Sequence, residues 1–243
     1  MGVCMMFSDT SSVDLSPRDL SIVQLVARFK QVASSHIHEL LFTDIKSHTP
    51  ADRALRRLTA SGHLQRVERR IVGGSRGGSG QYVYQLGRRG FYVYFEGRYA
   101  PWRTVNYHAL AIVDSYVVMR RLERAGYVAI AGVSTEPDCW VKVGGNELKP
   151  DLYLELARAT GERLKLWLEI DMGTEGQRQI KDKLERYWRA YNEADWPVFP
   201  RTIWVAVDAE REKELAWLIS QGPPDARILF QVTTLAGLPS LFV

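Results

Sequence analysis

Between Ser16 and Ala60 the apolar residues recur at intervals of three and four, the spacing that lines one face of an α-helix. Ser16-Pro17-Arg18-Asp19 reads as a helix start: the serine caps free amides, proline suits the first helical position, and Asp19 complements the positive end of the dipole. Ile22, Val23, Val26 and Phe29 form the buried stripe of that helix. A second, short helix is predicted after Ser34 or Ser35, with Ile37, Leu40, Leu41 and Phe42 turned inward. The third is expected to be capped by Thr49, opened by Pro50 and stopped by Gly62. At about 100° per residue, Ala51, Ala54, Leu55 and Leu58 share one side and leave Arg53, Arg56 and Arg57 on the other.

Strand-like segments follow near Leu64–Val72 and Gln81–Leu86, around the glycine-rich loop Gly73–Gly80. Three helices and then such a hairpin describe a winged helix-turn-helix, whose third helix lies in the DNA major groove while the wing touches the backbone or minor groove. The duplex contacts this predicts are Arg53, Arg56 and Arg57 on the helix and Arg69, Arg70 and Arg76 on the hairpin. The loop matches neither the P-loop nor the dinucleotide fingerprint and sits between two strands, which argues against nucleotide binding. Arg88, Arg89 and Gly90 open an aromatic closing segment, helical or extended, through Tyr94.

A linker near Gly97–Asn106 separates two expected domains, residues 1–100 and 106–243. The second begins with a helix from His108 to Arg124, stopped by Gly126, with His108 expected to pack or hydrogen-bond locally. Tyr127–Val133, a segment around Trp140–Val143, Asp151–Leu156 and Leu164–Asp171 are strand-like. A long amphipathic helix from about Glu175 to Ala194 buries Ile180, Leu184, Tyr187 and Tyr191. A strand at Arg201–Val207, a helix at Glu210–Ser220 and a last strand at Arg227–Val232 complete the order, which predicts a mixed sheet with helices on both faces.

The net charge of +4 is unevenly spread: residues 1–105 carry 15 Lys and Arg against 8 Asp and Glu, and residues 106–243 carry 17 against 20. A basic part joined to a mildly acidic one fits an anion-binding module attached to a carboxylate-bearing module. No apolar run approaches the roughly 20 residues of a membrane-spanning helix, and Met1–Met6 lacks the marks of a secretory signal. Cys4 and Cys139 form neither a zinc motif nor a disulfide framework. The expectation is a cytoplasmic protein with reduced thiols.

Candidate chemistry lies in Lys149-Pro150-Asp151 and, after a turn, Leu168-Glu169-Ile170-Asp171. As a hairpin these bring the acid at the start of one strand beside two acids at the end of the next. The order of elements and these residues resemble the PD-(D/E)xK nuclease-like core. The fold expected overall is therefore α+β, an N-terminal winged helix-turn-helix followed by a mixed-sheet nuclease-like domain. More narrowly, the chain over about residues 15–235 resembles the replication-relaxation family of plasmids and phages. The matching pieces are the winged helix, His108-Ala109-Leu110, Lys149-Pro150-Asp151, Leu168-Glu169-Ile170-Asp171 with Thr174-Glu175, and Lys183 with Tyr187 in the following helix.

What the resemblance implies is a DNA-binding protein of a mobile element, acting in replication or its copy control. A nuclease core would hold Mg²⁺ through Asp151 and Glu169, with the Ile170 carbonyl as a third ligand and Glu136 orienting a second water. Such cores usually place a lysine two residues after the glutamate, where this chain has Asp171. An acid there cannot play the cationic role, and Lys183 is the candidate replacement. Alternatively the acids pair with Lys149, Lys165 or Lys181.

Two readings result. One is a double-stranded-DNA-binding protein of a replication or mobile-element system whose nuclease-like domain serves assembly or DNA contact rather than cleavage. The other is a Mg²⁺-dependent endonuclease or nickase guided by its winged helix. Trp188, Trp196 and Trp217 suggest a homodimer surface, and replication or mobile-element proteins are candidate partners.

Overall fold

The helix start read at Ser16 is a full capping box: Ser16 Oγ accepts from Asp19 N (3.2 Å), and the Asp19 carboxylate accepts from Ser16 N (3.3 Å). It opens α1 (Pro17–Phe29), and a cap of this kind is worth about 1 kcal/mol. The structure is a computed structural model and describes residues 15–70 and 81–243. After α1 come β1 (Gln31–Ala33), α2 (Ser34–Leu41), α3 (Thr49–Ala60), β2 (Leu64–Arg70), β3 (Gln81–Leu86) and α4 (Arg88–Tyr94). Ile22, Val23, Val26, Ile37, Leu55, Leu58, Leu64 and Val83 make the core these elements share.

The sheet has the order β1-β3-β2 and is antiparallel throughout. β1 was not legible in the sequence; its three residues are all buried and lack the alternation that marks a strand. The residue at the N-cap of α3 is His48, not Thr49, which is already helical. Gly62 ends α3 with φ of +75°, the left-handed turn expected of it. Gly73–Gly80 and Arg76 lie outside the described residues.

The expected linker does not run free of this first unit. Gln85 holds Trp102 from both sides, its Nε2 donating to the carbonyl (2.9 Å) and its Oε1 accepting from the amide (3.0 Å). Gln31 Nε2 donates to Thr104 O (3.0 Å), and Tyr99 Oη donates to Leu86 O (3.0 Å). Gln31 and Gln85 are buried on adjacent strands, so the chain they satisfy continues this unit. Compact units divide between Thr104 and Val105.

The second unit opens with α5 (Tyr107–Arg124), capped by Asn106 Oδ1 on Ala109 N (3.0 Å). β4 (Val128–Thr135), β7 (Leu152–Arg158) and β8 (Arg163–Asp171) form the antiparallel meander. The segment at Trp140–Val143 does not join it: β5 (Val141–Val143) pairs only with β6 (Asn146–Leu148) as a separate ribbon. α6 (Gln177–Glu193) crosses over to β9 (Arg201–Ala206), and α7 (Ala209–Ser220) leads to β10 (Phe230–Thr234), both strands joining parallel. The last strand starts three residues later than the sequence suggests, because Pro224–Ile228 coils as a 3-10 turn. The mixed sheet has the order β10-β9-β8-β7-β4.

β8 is the middle strand, and its alternation assigns side chains to two layers. Trp167 packs with Ile180, Leu184 and Tyr187 of α6, Trp204 of β9 and Leu215 and Leu218 of α7. Glu169 and Asp171 continue that side of the strand to its end. Among the described residues no helix is long and apolar enough to cross a membrane.

Candidate functional site: three acids and three basic side chains at the strand ends

Asp151 ends the loop before β7 and brackets Glu169 on the neighbouring strand. Its amide donates to Leu168 O (3.1 Å), and its Oδ2 accepts from Ile170 N (2.7 Å). The hairpin pairing Leu152 with Leu168 brings this about, so the two acids read from the sequence do converge. Asp151, Glu169 and Asp171 are all buried, Glu169 to 1% exposure. A buried carboxylate is costly unless something cationic or hydrogen-bonding meets it.

Each acid meets a basic side chain, and each of these comes from a different helix. Lys183 of α6 places Nζ 2.7 Å from Glu169 Oε2, and Tyr187, one turn on, donates its hydroxyl to Glu169 Oε1. His108 of α5 sets Nε2 3.3 Å from Asp151 Oδ2. Arg211 of α7 grips Asp171 in a fork, Nε to Oδ1 at 2.8 Å and Nη2 to Oδ2 at 2.9 Å. Bidentate guanidinium pairing of this kind is strong and fixes orientation. The same arginine reaches Glu214 (2.8 Å) and the Glu175 carbonyl (2.7 Å), tying the loop after β8 to α7.

Electrostatics differ along the row. Burial, reinforced by neighbouring Asp151, outweighs the Lys183 charge and pushes the Glu169 carboxyl up to about 7. Lys183 is less enclosed; desolvation pulls it down, but Glu169 overrides this and raises it above the ordinary lysine value. Its ammonium also sits 5.2 Å from the centre of the Trp204 ring, a cation–π contact that holds it in place. The Asp151 hydrogen bond raises His108 against desolvation, with help from Glu136 and from a bond to the Ile170 backbone. Burial drives Tyr187 well above the usual phenol range. The Cys139 thiol, donating to Pro150 O at 3.0 Å, is pushed up to about 12, chiefly by burial.

These contacts revise three expectations. His108 does not bond locally; it crosses to Asp151, a partner invisible to helix-start reasoning. Asp171 shares a strand face with Glu169, but Arg211 neutralises it, so it adds no free negative charge. Lys149, Lys165 and Lys181 do not serve these acids: Lys149 meets Glu147 (2.9 Å), Lys165 approaches Glu155 (4.0 Å), and Lys181 lies over Trp217. Glu136 lies just beyond β4, and its amide donates to Asp151 O (3.3 Å). Arg211 was missed as a site residue, since an arginine at the start of an amphipathic helix reads as solvated; Tyr187 entered only as a buried helix residue and a family-matching position beside Lys183, with no role at the acids.

The expected Mg²⁺ does not fit Asp151 and Glu169 as they stand. Both Glu169 oxygens are engaged by Lys183 and Tyr187, and Asp151 Oδ2 is engaged by Ile170 N and His108. Among the described residues no three His, Cys, Asp or Glu side chains gather closely enough to hold an ion.

On the first unit, Arg53, Arg56 and Arg57 are exposed on α3 opposite Ala51, Ala54, Leu55 and Leu58. They are not equivalent. Arg57 Nη2 lies 2.7 Å from Asp19 Oδ1, and burial of Asp19 is outweighed by Arg57 and Ser16, which hold its carboxyl below the usual range. Arg56 Nε donates within its own helix, to the Asp52 carbonyl (3.4 Å). Arg69 and Arg70 fall on β2, in register with Tyr82 and Gln81 of β3.

Comparison with known proteins adds the family. No curated protein matches the sequence. Among solved structures, the restriction endonuclease FokI is similar over 92% of this chain, at 12% identity and a TM-score of 0.30. The matched part spans 43% of that chain, and a likeness at this level leaves the fold to be read from its own topology. The sequence profile of one family matches residues 23–202, from within α1 to the start of β9. The chain belongs to the replication-relaxation family.

Proposed function

We propose that this is a DNA-binding protein of a replication or mobile-element system, whose first unit is a winged helix that grips duplex DNA and whose second unit is a nuclease-like shell that does not cleave. The observation that carries the reading is the arginine face of α3, exposed opposite an apolar stripe. Arg53 and Arg56 are its phosphate- or base-contacting residues; Arg57 contributes while also bracing α1, and Arg69, Arg70 and Arg76 contribute from the hairpin. Family membership supports the genetic setting. The neutralised acids of the second unit support the absence of cleavage.

The test is duplex binding by fluorescence anisotropy across a salt series. Each phosphate contact contributes a slope of about 0.9 in log K against log salt. Arg53→Ala/Arg56→Ala is expected to weaken binding and flatten that slope by up to about 2. Unchanged affinity and slope reject the reading.

The second reading, Mg²⁺-dependent cleavage, has one observation in its favour: Lys183 beside Glu169 supplies the cation that position 171 lacks. It requires Glu169 to be shared with a metal. Cleavage of supercoiled plasmid that disappears in Asp151→Ala and Glu169→Ala would establish it.

A further inference from the structure

We propose that Lys183 is the resident cation of the strand-end pocket, and that it keeps a divalent metal ion out of the Asp151–Glu169 pair. The inference extends the non-cleaving reading of the second unit but does not depend on DNA binding by the first.

Three observations carry it. The lysine is built in rather than draped over the acid. Its ammonium is held between Glu169 Oε2 (2.7 Å) and the Trp204 ring (5.2 Å), and its side chain is 24% exposed. The other Glu169 oxygen is closed by Tyr187 from the same face of α6, so no rotation of the carboxylate frees an oxygen without breaking a contact. On the Asp151 side, His108 hydrogen-bonds to both the Asp151 carboxylate and the Ile170 backbone. Asp151 and Glu169 are the acids a hard ion would draw on; Asp151 Oδ2 already accepts from Ile170 N and faces His108, and the Glu169 oxygens face Lys183 and Tyr187.

Charge sharpens the point. A divalent ion within a few ångströms of Nζ would face direct repulsion at low dielectric. With Lys183 in place the ion must displace an ammonium already paired to the same acid; with Lys183 gone, it has only to displace a proton from Glu169.

The experiment is a Mn²⁺ titration of the full chain at pH 8, in which the free-ion EPR signal falls as Mn²⁺ binds. Wild type is expected to bind weakly, with no saturation at stoichiometric metal. Lys183→Met and Lys183→Gln are expected to bind Mn²⁺ at least about tenfold more tightly, because the repelling ammonium is gone and the ion displaces only a proton from Glu169. Adding Asp151→Asn to either should abolish the gain, which places the metal at this pair. Circular dichroism of each variant checks the fold, and Lys183→Gln retains a donor for Glu169 should Lys183→Met prove unstable.

Tight stoichiometric Mn²⁺ binding by wild type, lost in Asp151→Asn, overturns the proposal. Failure of both folded Lys183 variants to gain affinity overturns it too. Neither result bears on the salt-dependent DNA affinity of Arg53 and Arg56, so failure here and failure of the DNA-binding reading are separable.

Discussion

Replacing Lys183 by methionine removes the charge beside Glu169 and keeps most of the stem, so its consequence for stability follows from one carboxyl group. Glu169 has an ordinary value of 4.5 and is pushed up to about 7 in the fold. A raised folded value gives the fold an advantage below pH 4.5 that is lost as pH rises through about 7, because the unfolded chain ionises first. In wild type that loss amounts to about 3 kcal/mol and then levels off, since above pH 7 the carboxylate ionises against Lys183. Without Lys183 the carboxyl stays protonated, and the loss continues at about 1.4 kcal/mol per pH unit. The two proteins should therefore be close in stability at pH 5 to 6, with a gap of about 1.4 kcal/mol at pH 8 and about 3 kcal/mol at pH 9. Urea unfolding followed by tryptophan fluorescence measures this. Six of the seven tryptophans, all but Trp102, lie in the second unit, so the signal reports the right part of the chain. A gap that is constant from pH 5 to pH 9, or widest in acid, refutes the reasoning.

Arg211→Met leaves Asp171 buried without its partner, and the second unit should lose about 3–5 kcal/mol by the same urea assay; a loss below about 1 kcal/mol would show that Asp171 finds another donor. Arg57→Ala should destabilise the first unit by about 1 kcal/mol, a modest figure because the arginine is 58% exposed and screened, whereas Arg53→Ala/Arg56→Ala should stay within about 0.5 kcal/mol. Thermal unfolding of the three proteins separates bracing from DNA contact. His108 should titrate above its ordinary value of 6.5 by NMR and move down in Asp151→Asn, where its main hydrogen-bond partner loses its charge. The contribution of His108 to stability is then present below pH 6.5 and lost as pH rises through its folded value, the sense opposite to that of the depressed Asp19.

The helices and most strands were legible because their signals are local. The box at Ser16, the stop at Gly62, the arginine face of α3 and the stripe of Ile180, Leu184 and Tyr187 each lie within a few turns of chain. Periodicity also placed Asp151 opposite Glu169, since a hairpin joins residues close in sequence. The three-residue strand β1 escaped because so short a buried run has no period of its own, and the partner of the Trp140–Val143 strand was not legible because pairing partners are not encoded in alternation.

The partners of the acids lay beyond sequence reasoning. Arg211 stands 40 residues from Asp171, and Arg57 stands 38 from Asp19. Only packing of α5, α6 and α7 at the ends of β7 and β8 selects His108, Lys183 and Arg211 from the 32 lysines and arginines and five histidines of the chain. Sequence by itself determined where helices and strands form and which acids share a hairpin, because those depend on neighbours along the chain. Tertiary structure alone decided that each buried acid has its own basic partner, because burial and charge pairing depend on what the fold brings together across it.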